Sequence, residues 1–347
     1  MNDQNAAPNI GVIGIDLGKR AFHLHGVDRR GEVVIRKRMS RKQLLSFMAR
    51  IKPCRVGMEA CGGAHDWARR LQALGHEVRL MSPQFVKPYV KSNKNDSLDA
   101  EAICEAVQRP NMRFVPIKSC EQQDIQSLHR ARSMAISQRT AQINQVRGLL
   151  LEYGVVLAQG AQVVRKALPC ILEDAENGLS VALRQLLVEW REELVHLDER
   201  IAEYDRRIAL LAKQTDACQL LMTIPGIGPL IATALLAAVG DVRVFSSGRE
   251  MAAWLGLVPR QRSTGGRTLL LGISKRGDTY LRTLLIHGAR SVVRLAAKKN
   301  DRRSRWIAAL AQRRGNNIAA VALANKNIRV AWALLTREEP YRVATAS

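Results

Sequence analysis

The sequence predicts an α/β domain at the N-terminus, a central helical region and a mostly helical C-terminal domain. Two observations predict this order. Through residue 115, short apolar runs rich in β-branched residues alternate with segments of helical spacing. From about residue 121 the chain changes character: residues 121–153 are nearly free of Gly and Pro, and apolar residues recur there every three or four positions. We therefore expect three parts, over residues 8–115, 116–215 and 216–340.

The N-terminal part is predicted to contain a mixed sheet. Apolar runs predict strands at residues 10–16, 21–28, 31–39, 55–60 and 77–82. Helical spacing predicts helices at 41–51, 62–75 and 96–108. The first three strands follow one another through short turns, as in a meander, whereas the later ones alternate with helices. This order is typical of an α/β domain with both antiparallel and parallel strands.

Two long helices are predicted in the central region, the first over residues 121–153. In the second, apolar residues alternate steps of four and three over about four heptads, the spacing of a coiled-coil seam. The seam consists of Leu183, Leu187, Trp190, Leu194, Leu197, Ile201, Tyr204, Ile208 and Leu211. The two helices can pair within one chain as an antiparallel hairpin or dimerise with a second chain. The sequence leaves both open, and we expect oligomerisation through this region.

The C-terminal part is predicted to be helical around a Gly-rich loop. "TIPGIGPL", residues 223–230, resembles the turn of a helix-hairpin-helix, where backbone N–H groups face a phosphate. Packing of its apolar side chains in a hydrophobic core explains the same residues equally well. Further helices are predicted at 249–257 and 317–335.

The composition favours a polyanionic partner. The chain carries 54 Lys and Arg against 31 Asp and Glu, a formal net charge of +23. Between Leu255 and Gly315, fifteen basic residues are opposed only by Asp278 and Asp301. Because these cations are interleaved with apolar residues, we expect a phosphate-binding surface rather than an ordinary solvated face. Nucleic acid is the expected partner.

Other classes of protein find little support. No apolar run reaches the roughly 18 residues that span a bilayer. The N-terminus has no basic region before an apolar stretch, so a secretory signal is not indicated and a cytoplasmic location is expected. The six cysteines are scattered without a C-x-x-C pair, which argues against a zinc knuckle. His23 and His25, the only closely spaced histidines, are interpreted as structural.

Four carboxylates are placed where they can converge. Asp16 ends the first predicted strand, Glu59 ends the fourth, and Asp96 and Asp99 lie three apart on the helix after the fifth. Four such acids can hold two divalent cations about 3.5–4 Å apart. Hard oxygen ligands suit Mg²⁺ or Mn²⁺. Taken singly, each acid has a simpler explanation: a turn residue at a strand end, or an N-cap in the case of Asp96.

A second group of residues surrounds "RSTGGR", residues 262–267. Ser263 and Thr264 offer hydroxyl groups in what we expect to be a flexible loop, and the Gly265–Gly266 pair allows close backbone approach. A hydroxyl attacks a phosphodiester when its proton is removed and the developing charge is neutralised. The candidate nucleic-acid-binding cations are Arg260, Arg262, Arg267, Lys275, Arg276 and Arg282. From spacing alone, a turn with a phosphate-contacting hydroxyl explains the loop as well as a nucleophile does.

Six segments together resemble a known family. They are "GIDLGK", "GMEAC", "KNDSLDAEAI", "PGIGPLIATALLAAVGD", "LGLVPRQRSTGGRTLLLGISKRGDTYLR" and "ANKNIRVAWALL". The acids resemble those of the RNase H-like fold of RuvC Holliday-junction resolvases. The whole set, from about residue 10 to 340, resembles the DEDD transposases of bacterial insertion sequences: the insertion-sequence one-ten family, related to the Piv/MooV DNA invertases, and within it the eleven-eleven subgroup.

This resemblance implies a mechanism. The family's acidic tetrad falls on Asp16, Glu59, Asp96 and Asp99, with Mg²⁺ or Mn²⁺ as cofactor. Its catalytic serine, which forms a transient covalent link to DNA, falls on Ser263. Thr264 stands where some relatives carry a second serine. The resemblance further implies a dimer in which the acids of one subunit meet the serine loop of another, two dimers forming a tetramer, a bridge RNA as guide, and a nucleoid-associated location.

Two other functions compete with DNA recombination. A structure-specific nuclease of the Holliday-junction type needs the acids but no serine. A non-catalytic nucleic-acid-binding protein needs neither, because its acids are structural. The three differ in whether a covalent protein–DNA adduct forms and whether neutralising Asp99 matters.

Overall fold

The computed structural model describes residues 9–90 and 96–341, without the side chains of residues 96 and 97. The chain forms two compact units, one up to Cys120 and one from Glu121 onward.

The first unit is built on a six-stranded mixed sheet with the strand order β3-β2-β1-β4-β5-β6. The strands are β1 (Val12–Leu17), β2 (Ala21–Val27), β3 (Val33–Ser40), β4 (Arg55–Glu59), β5 (Glu77–Met81) and β6 (Phe114–Val115). The meander β1–β3 is antiparallel, β1, β4 and β5 are parallel, and the two-residue β6 is antiparallel to β5. The prediction of an α/β domain with a mixed sheet is therefore confirmed, although β6 was not predicted.

Helices cover this sheet and complete its core. They are α1 (Arg41–Met48), α2 (Ala64–Ala73), α3 (Pro83–Val86) and α4 (Asp96–Ala106). The sheet residues Ile13, Ile15, Val56 and Met58 are fully buried, and Trp67 of α2 packs among the core residues of this unit. Their burial explains why these strand and helix patterns could be predicted from the sequence: the repeated apolar residues face the core.

The second unit is helical except for one hairpin. Its helices are α5 (Cys120–Glu152), α6 (Ala161–Glu173), α7 (Val181–Gln214), α8 (Asp216–Met222), α9 (Pro229–Val239), α10 (Gly248–Trp254), α11 (Thr279–Ala296), α12 (Arg302–Arg314) and α13 (Asn316–Arg337). The hairpin strands are β7 (Pro259–Thr264) and β8 (Arg267–Ile273). The mostly helical character of this region is as predicted.

Helices α5 and α7 pair with each other inside one chain. Arg139 donates to Asp198 at 2.8 Å and Arg132 donates to Asp205 at 2.5 Å. Partner numbers fall along α7 as they rise along α5, so the two helices run antiparallel. The predicted seam is the face that packs on α5, because Leu187 and Leu194 are buried against it. The structure thus shows the intramolecular pairing that the sequence left open.

Removing a seam side chain tests this pairing. We expect Leu187→Ala to lower the free energy of unfolding by about 2–5 kcal/mol, because Leu187 is fully buried and leaves a cavity. The adjacent Val188 is 41% exposed, so Val188→Ala is expected to change it by no more than about 0.5 kcal/mol. Chemical denaturation followed by far-ultraviolet circular dichroism measures both. Equal losses for the two variants would contradict the seam.

Helix α13 is the central helix of the C-terminal core. By length and composition it is apolar enough to cross a membrane. However, Leu323, Ala324 and Ile328 are fully buried in the same core as Leu285 of α11 and Ile307 of α12. We therefore interpret α13 as a core helix.

A buried histidine links α5 to the C-terminal helices. The His129 ring shares hydrogen bonds with the Thr233 hydroxyl at 2.9 Å and the Tyr280 hydroxyl at 3.0 Å. Burial first, and then the positive charge of Arg132, lowers the pKa of His129 to about 4, while Asp205 acts in the opposite direction. The histidine is therefore held neutral in the folded protein.

This histidine predicts a loss of stability in acid. Its folded-state pKa of about 4 lies below the usual value of 6.5, so the unfolded chain binds more protons between these limits. Stability from this group is full above pH 6.5 and is lost toward pH 4, by an amount on the order of 3 kcal/mol. His129→Gln is expected to flatten the pH dependence of the unfolding free energy between these limits. A slope unchanged in His129→Gln would contradict the assignment.

Candidate active site

Two of the predicted acids lie at one edge of the sheet in the first unit. Asp16 is in β1 and Glu59 ends β4, and these strands are parallel neighbours, with Ile15 beside Met58. The carboxyl ends of neighbouring parallel strands meet at the same edge of a sheet. The strand order therefore brings together two acids that are 43 positions apart in the sequence.

The backbone of helix α4 packs very closely against the sheet at Gly14 of β1. A Cβ atom built on Gly14 would lie 2.2 Å from the Ala100 carbonyl oxygen and 2.4 Å from the Cys104 nitrogen, so only glycine fits there. Side chains two apart in a strand share a face. Asp16 therefore points to the face that Gly14 offers to α4, and Asp99 of α4 precedes Ala100.

Electrostatics shows that three of the acids are close to one another. The pKa of Glu59 is raised, first by burial and then by the negative charges of Asp16 and Asp99. The thiol pKa of Cys61 is also raised, first by burial and then by Glu59 and Asp16. Three carboxylates thus concentrate negative charge in a half-buried place, which is the environment that a divalent cation neutralises.

The carboxylate ligands suit a hard cation, but the side chains that the structure describes do not form a complete metal-binding site. Carboxylate oxygens are the ligands that Mg²⁺ and Mn²⁺ prefer. Among the side chains that the structure describes, no group of three His, Cys, Asp or Glu is arranged to hold a metal ion. The side chain of Asp96, the fourth predicted ligand, lies outside the described residues; its backbone begins α4. The four-acid metal site stays a prediction.

The sequence interpretation missed two neighbours of these acids. His23 lies directly opposite Asp16 in the β1–β2 register, with its Nδ1 atom 3.9 Å from the Asp16 Oδ2 atom. Both His23 and His25 were interpreted as structural. Of the two, His25 is 5% exposed and so has the burial that is typical of a structural histidine. Cys61 follows Glu59 by two positions. The antiparallel register of β1 and β2 would have been needed to find His23.

The predicted serine loop is a β-hairpin rather than a flexible loop. Ser263 and Thr264 end β7, and the chain reverses through Gly265 and Gly266. Both glycines have positive φ, at 56° and 76°, as a two-residue hairpin turn of type I′ requires. Gly-Gly is therefore needed for the turn itself, and every residue of β7 is exposed.

In the part of the chain that the structure describes, the hydrogen-bond partners of the Ser263 hydroxyl are neutral. It accepts a hydrogen bond from the Gln261 amide at 2.7 Å and lies 3.5 Å from the Thr268 hydroxyl. Arg262 pairs with Leu269 on the opposite face of the ribbon, because neighbouring residues in a strand point to opposite sides. The hydroxyl is exposed, and a base that takes its proton has to come from elsewhere.

The predicted basic residues divide into exposed and buried groups. Exposed side chains are those of Arg260, Arg262, Arg267, Lys275 and Arg276. Arg282 differs: it is 7% exposed and donates to the carbonyl oxygens of Leu255 and Arg276 at 3.3 and 3.0 Å. This placement argues against its predicted phosphate contact. Arg282 holds the backbone that follows the hairpin, because it satisfies carbonyl groups of two separate segments.

The turn in "TIPGIGPL" is largely used for packing. A Cβ atom on Gly226 would lie 2.9 Å from the Gly288 carbonyl oxygen, so this turn packs directly on α11. The carbonyl of Pro225 accepts from Asn327 at 3.1 Å, and Ile224 and Ile227 are buried. Of the two interpretations left open by the sequence, packing is the one with observed contacts.

Comparison with known proteins gives the family. Residues 13–155, which contain the four acids, match a family model described as "Transposase", and residues 218–305, which contain Ser263, match one described as "Transposase IS116/IS110/IS902 family". A "Probable family 20 transposase" of Pseudomonas aeruginosa is 53% identical over 96% of this chain and 99% of its own length.

Two further relatives are named for insertion sequences. The "Transposase for insertion sequence element IS1111A" of Coxiella burnetii is 48% identical over 96% of this chain and 92% of its own length. The "Transposase for insertion sequence element IS1328" of Yersinia enterocolitica is 44% identical over 95% and 98%. The chain therefore belongs to the IS116/IS110/IS902 family of insertion-sequence transposases, enzymes that cleave and rejoin DNA.

Proposed function

We propose that this transposase cuts and rejoins DNA with an acidic cluster and a serine nucleophile. The acids are Asp16, Glu59, Asp96 and Asp99, on an RNase H-like domain of the RuvC type, and the nucleophile is Ser263. The observation that carries the proposal is the coupling of Glu59 to Asp16 and Asp99, because a half-buried cluster of like charges is costly unless a cation binds there. When bound, Mg²⁺ or Mn²⁺ would activate the attacking group and stabilise the leaving oxygen.

The chain's own residues account for the remaining chemistry. The Ser263 oxygen loses its proton and forms a bond to phosphorus, and the bond from phosphorus to one sugar oxygen breaks, leaving a sugar hydroxyl. Attack by a sugar hydroxyl of another strand then restores a phosphodiester and returns the proton to Ser263. Rejoining needs no external energy, since the serine ester conserves the phosphodiester bond.

The assembly completes the proposal. Because the described hydrogen-bond partners of Ser263 are neutral, we expect a site shared between subunits, with the acids from one and the serine hairpin from another, to supply the charge that activates the hydroxyl. Two dimers would bring two DNAs together as a tetramer, in the cytoplasm at the nucleoid. A bridge RNA would select the sequences by base pairing, so that the protein mainly contacts backbones. The three-part division at residues 8–115, 116–215 and 216–340 belongs to this proposal.

Cleavage of DNA that carries the element ends tests the proposal. The wild-type protein, supplied with the transcript of the element's non-coding flank, should cleave and rejoin with Mg²⁺ or Mn²⁺ and not with a chelator. Ser263→Ala should abolish both steps, whereas Thr264→Ala at the neighbouring hydroxyl should retain them. Normal recombination by Ser263→Ala would refute the serine mechanism.

A further inference from the structure

A wide groove runs between the serine hairpin and the last helices of the second unit. Leu270 and Ile273 of β8 line one side, and Ile318 and Val321 of α13 line the other, with Trp306 of α12 in its wall. Its volume is about 1740 Å³, above the roughly 300–1,000 Å³ of pockets that hold one small molecule. The groove therefore has room for several linked units of a polymer.

The cations of this groove face no acidic lining residue. Arg249, Arg314, Lys326 and Arg329 line it, and none of the described residues along its walls is Asp or Glu. The pKa of Lys326 is lowered, first by burial and then by the positive charges of neighbouring arginines, Arg329 of the groove among them. Such a wall is complementary to a polyanion.

An aromatic ring lies among these cations. Trp306 is 37% exposed, and the Lys326 ammonium lies 4.5 Å from its ring centroid. An exposed indole beside cations matches the sites where proteins stack a base and hold the adjoining phosphates. Apolar lining, cations and an aromatic ring together suit both parts of a nucleotide.

We propose that this groove binds single-stranded nucleic acid, with one base stacked on Trp306. The inference rests on the proposed function only in taking nucleic acid as the substrate class. Bases in a duplex are stacked inside and cannot reach a ring set in a concave wall. A second copy of this chain is disfavoured as occupant of the groove, because a chain with a formal net charge of +23 would bring like charge to these four cations. DNA and RNA share the required chemistry, and the test separates them.

Binding without metal tests the groove apart from catalysis. The probes are a ten-nucleotide single-stranded DNA, the RNA of the same sequence, and the DNA duplex, each measured by fluorescence anisotropy in chelator. Trp306→Ala should weaken binding of the DNA strand, the RNA strand or both about tenfold and duplex binding less than twofold. The nucleic acid, DNA or RNA, whose affinity falls more is the one that the groove binds. Trp306→Tyr, which keeps a stacking ring, should restore most of the affinity.

A matched pair of charge variants separates this site from general attraction. Lys326→Gln should weaken single-strand binding more than Lys213→Gln, the same substitution at an exposed position of α7. Photo-crosslinking of a 5-iodouracil strand to the wild-type protein should label Trp306 or its groove neighbours, which covers the case in which Trp306→Ala does not fold. Equal losses for single strand and duplex, crosslinks only elsewhere, or a changed oligomeric state with unchanged affinity would overturn the proposal. Absence of a covalent DNA adduct would refute the serine mechanism and leave this result untouched.

Discussion

Replacing Asp99 by asparagine is expected to slow DNA cleavage by about a thousandfold without lowering the stability of the metal-free protein. If Asp99 is the metal ligand proposed above, its loss forfeits several kcal/mol of transition-state stabilisation, and each 1.4 kcal/mol is a factor of ten in rate. The stability of the metal-free protein is not expected to fall. The negative charge of Asp99 raises the pKa of Glu59, which means that the two carboxylates repel each other in the folded state. Removing that charge relieves a repulsion in the folded state.

The measurement compares cleavage rate and thermal unfolding in chelator for two variants. Asp66→Asn is the control: it neutralises an exposed carboxylate of α2 that pairs with Arg70 at 3.0 Å. It should cleave at the wild-type rate, since exposed pairs contribute little. If Asp99→Asn cleaves normally, or if it unfolds at a clearly lower temperature than the wild type, the acid is structural and the proposed cluster is wrong.

Replacing Gly14 by alanine is expected to be as damaging to activity, although no charge is removed. The new Cβ atom would lie 2.2 Å from the Ala100 carbonyl oxygen, which is backbone and cannot turn aside. Helix α4 therefore has to move off the sheet and carry Asp99 away from Asp16. Overpacking of this kind typically costs about 1–3 kcal/mol of unfolding free energy, and occasionally more.

Gly148→Ala gives the matched comparison. Gly148 lies inside α5, and a Cβ atom there meets nothing within 4 Å. Alanine is favoured over glycine in a helix by roughly 0.5–1 kcal/mol, so this variant should be as stable as the wild type or more so. Chemical denaturation and the cleavage assay together decide. A Gly14→Ala protein with wild-type stability and activity would show that α4 does not position the acids.

The parts that face a core could be predicted from the sequence. Strands β1–β5 and helix α4 have apolar residues that pack inside one unit. Their periodicity can therefore be recognised in the sequence without knowing which other segments they contact. Helices α5 and α7 were also predicted. Their antiparallel pairing within one chain was one of two alternatives that the sequence left open, because the choice depends on matches between distant residues, such as Arg132 with Asp205.

The serine hairpin was missed for the opposite reason. Leu269 and Leu270 of β8 are 59% and 64% exposed, so no alternation toward a core marks these strands. The Gly265–Gly266 pair was the available signal, since Gly-Gly favours a hairpin turn. Arg282 was assigned to the surface because charge density cannot distinguish a solvated arginine from one that satisfies buried carbonyl groups. Its burial emerges only from the packing of α11.

We propose that a serine hydroxyl, served by an acidic cluster, exchanges DNA strands. A nicked DNA containing the element end, which traps the cleaved intermediate, tests it directly: the protein is denatured, digested, and the peptide that carries DNA is identified by mass spectrometry. We expect a phosphoester on Ser263, absent from Ser263→Ala and strongly reduced in Asp99→Asn. Cleaved DNA with no protein attached, or an adduct on another residue, would contradict it.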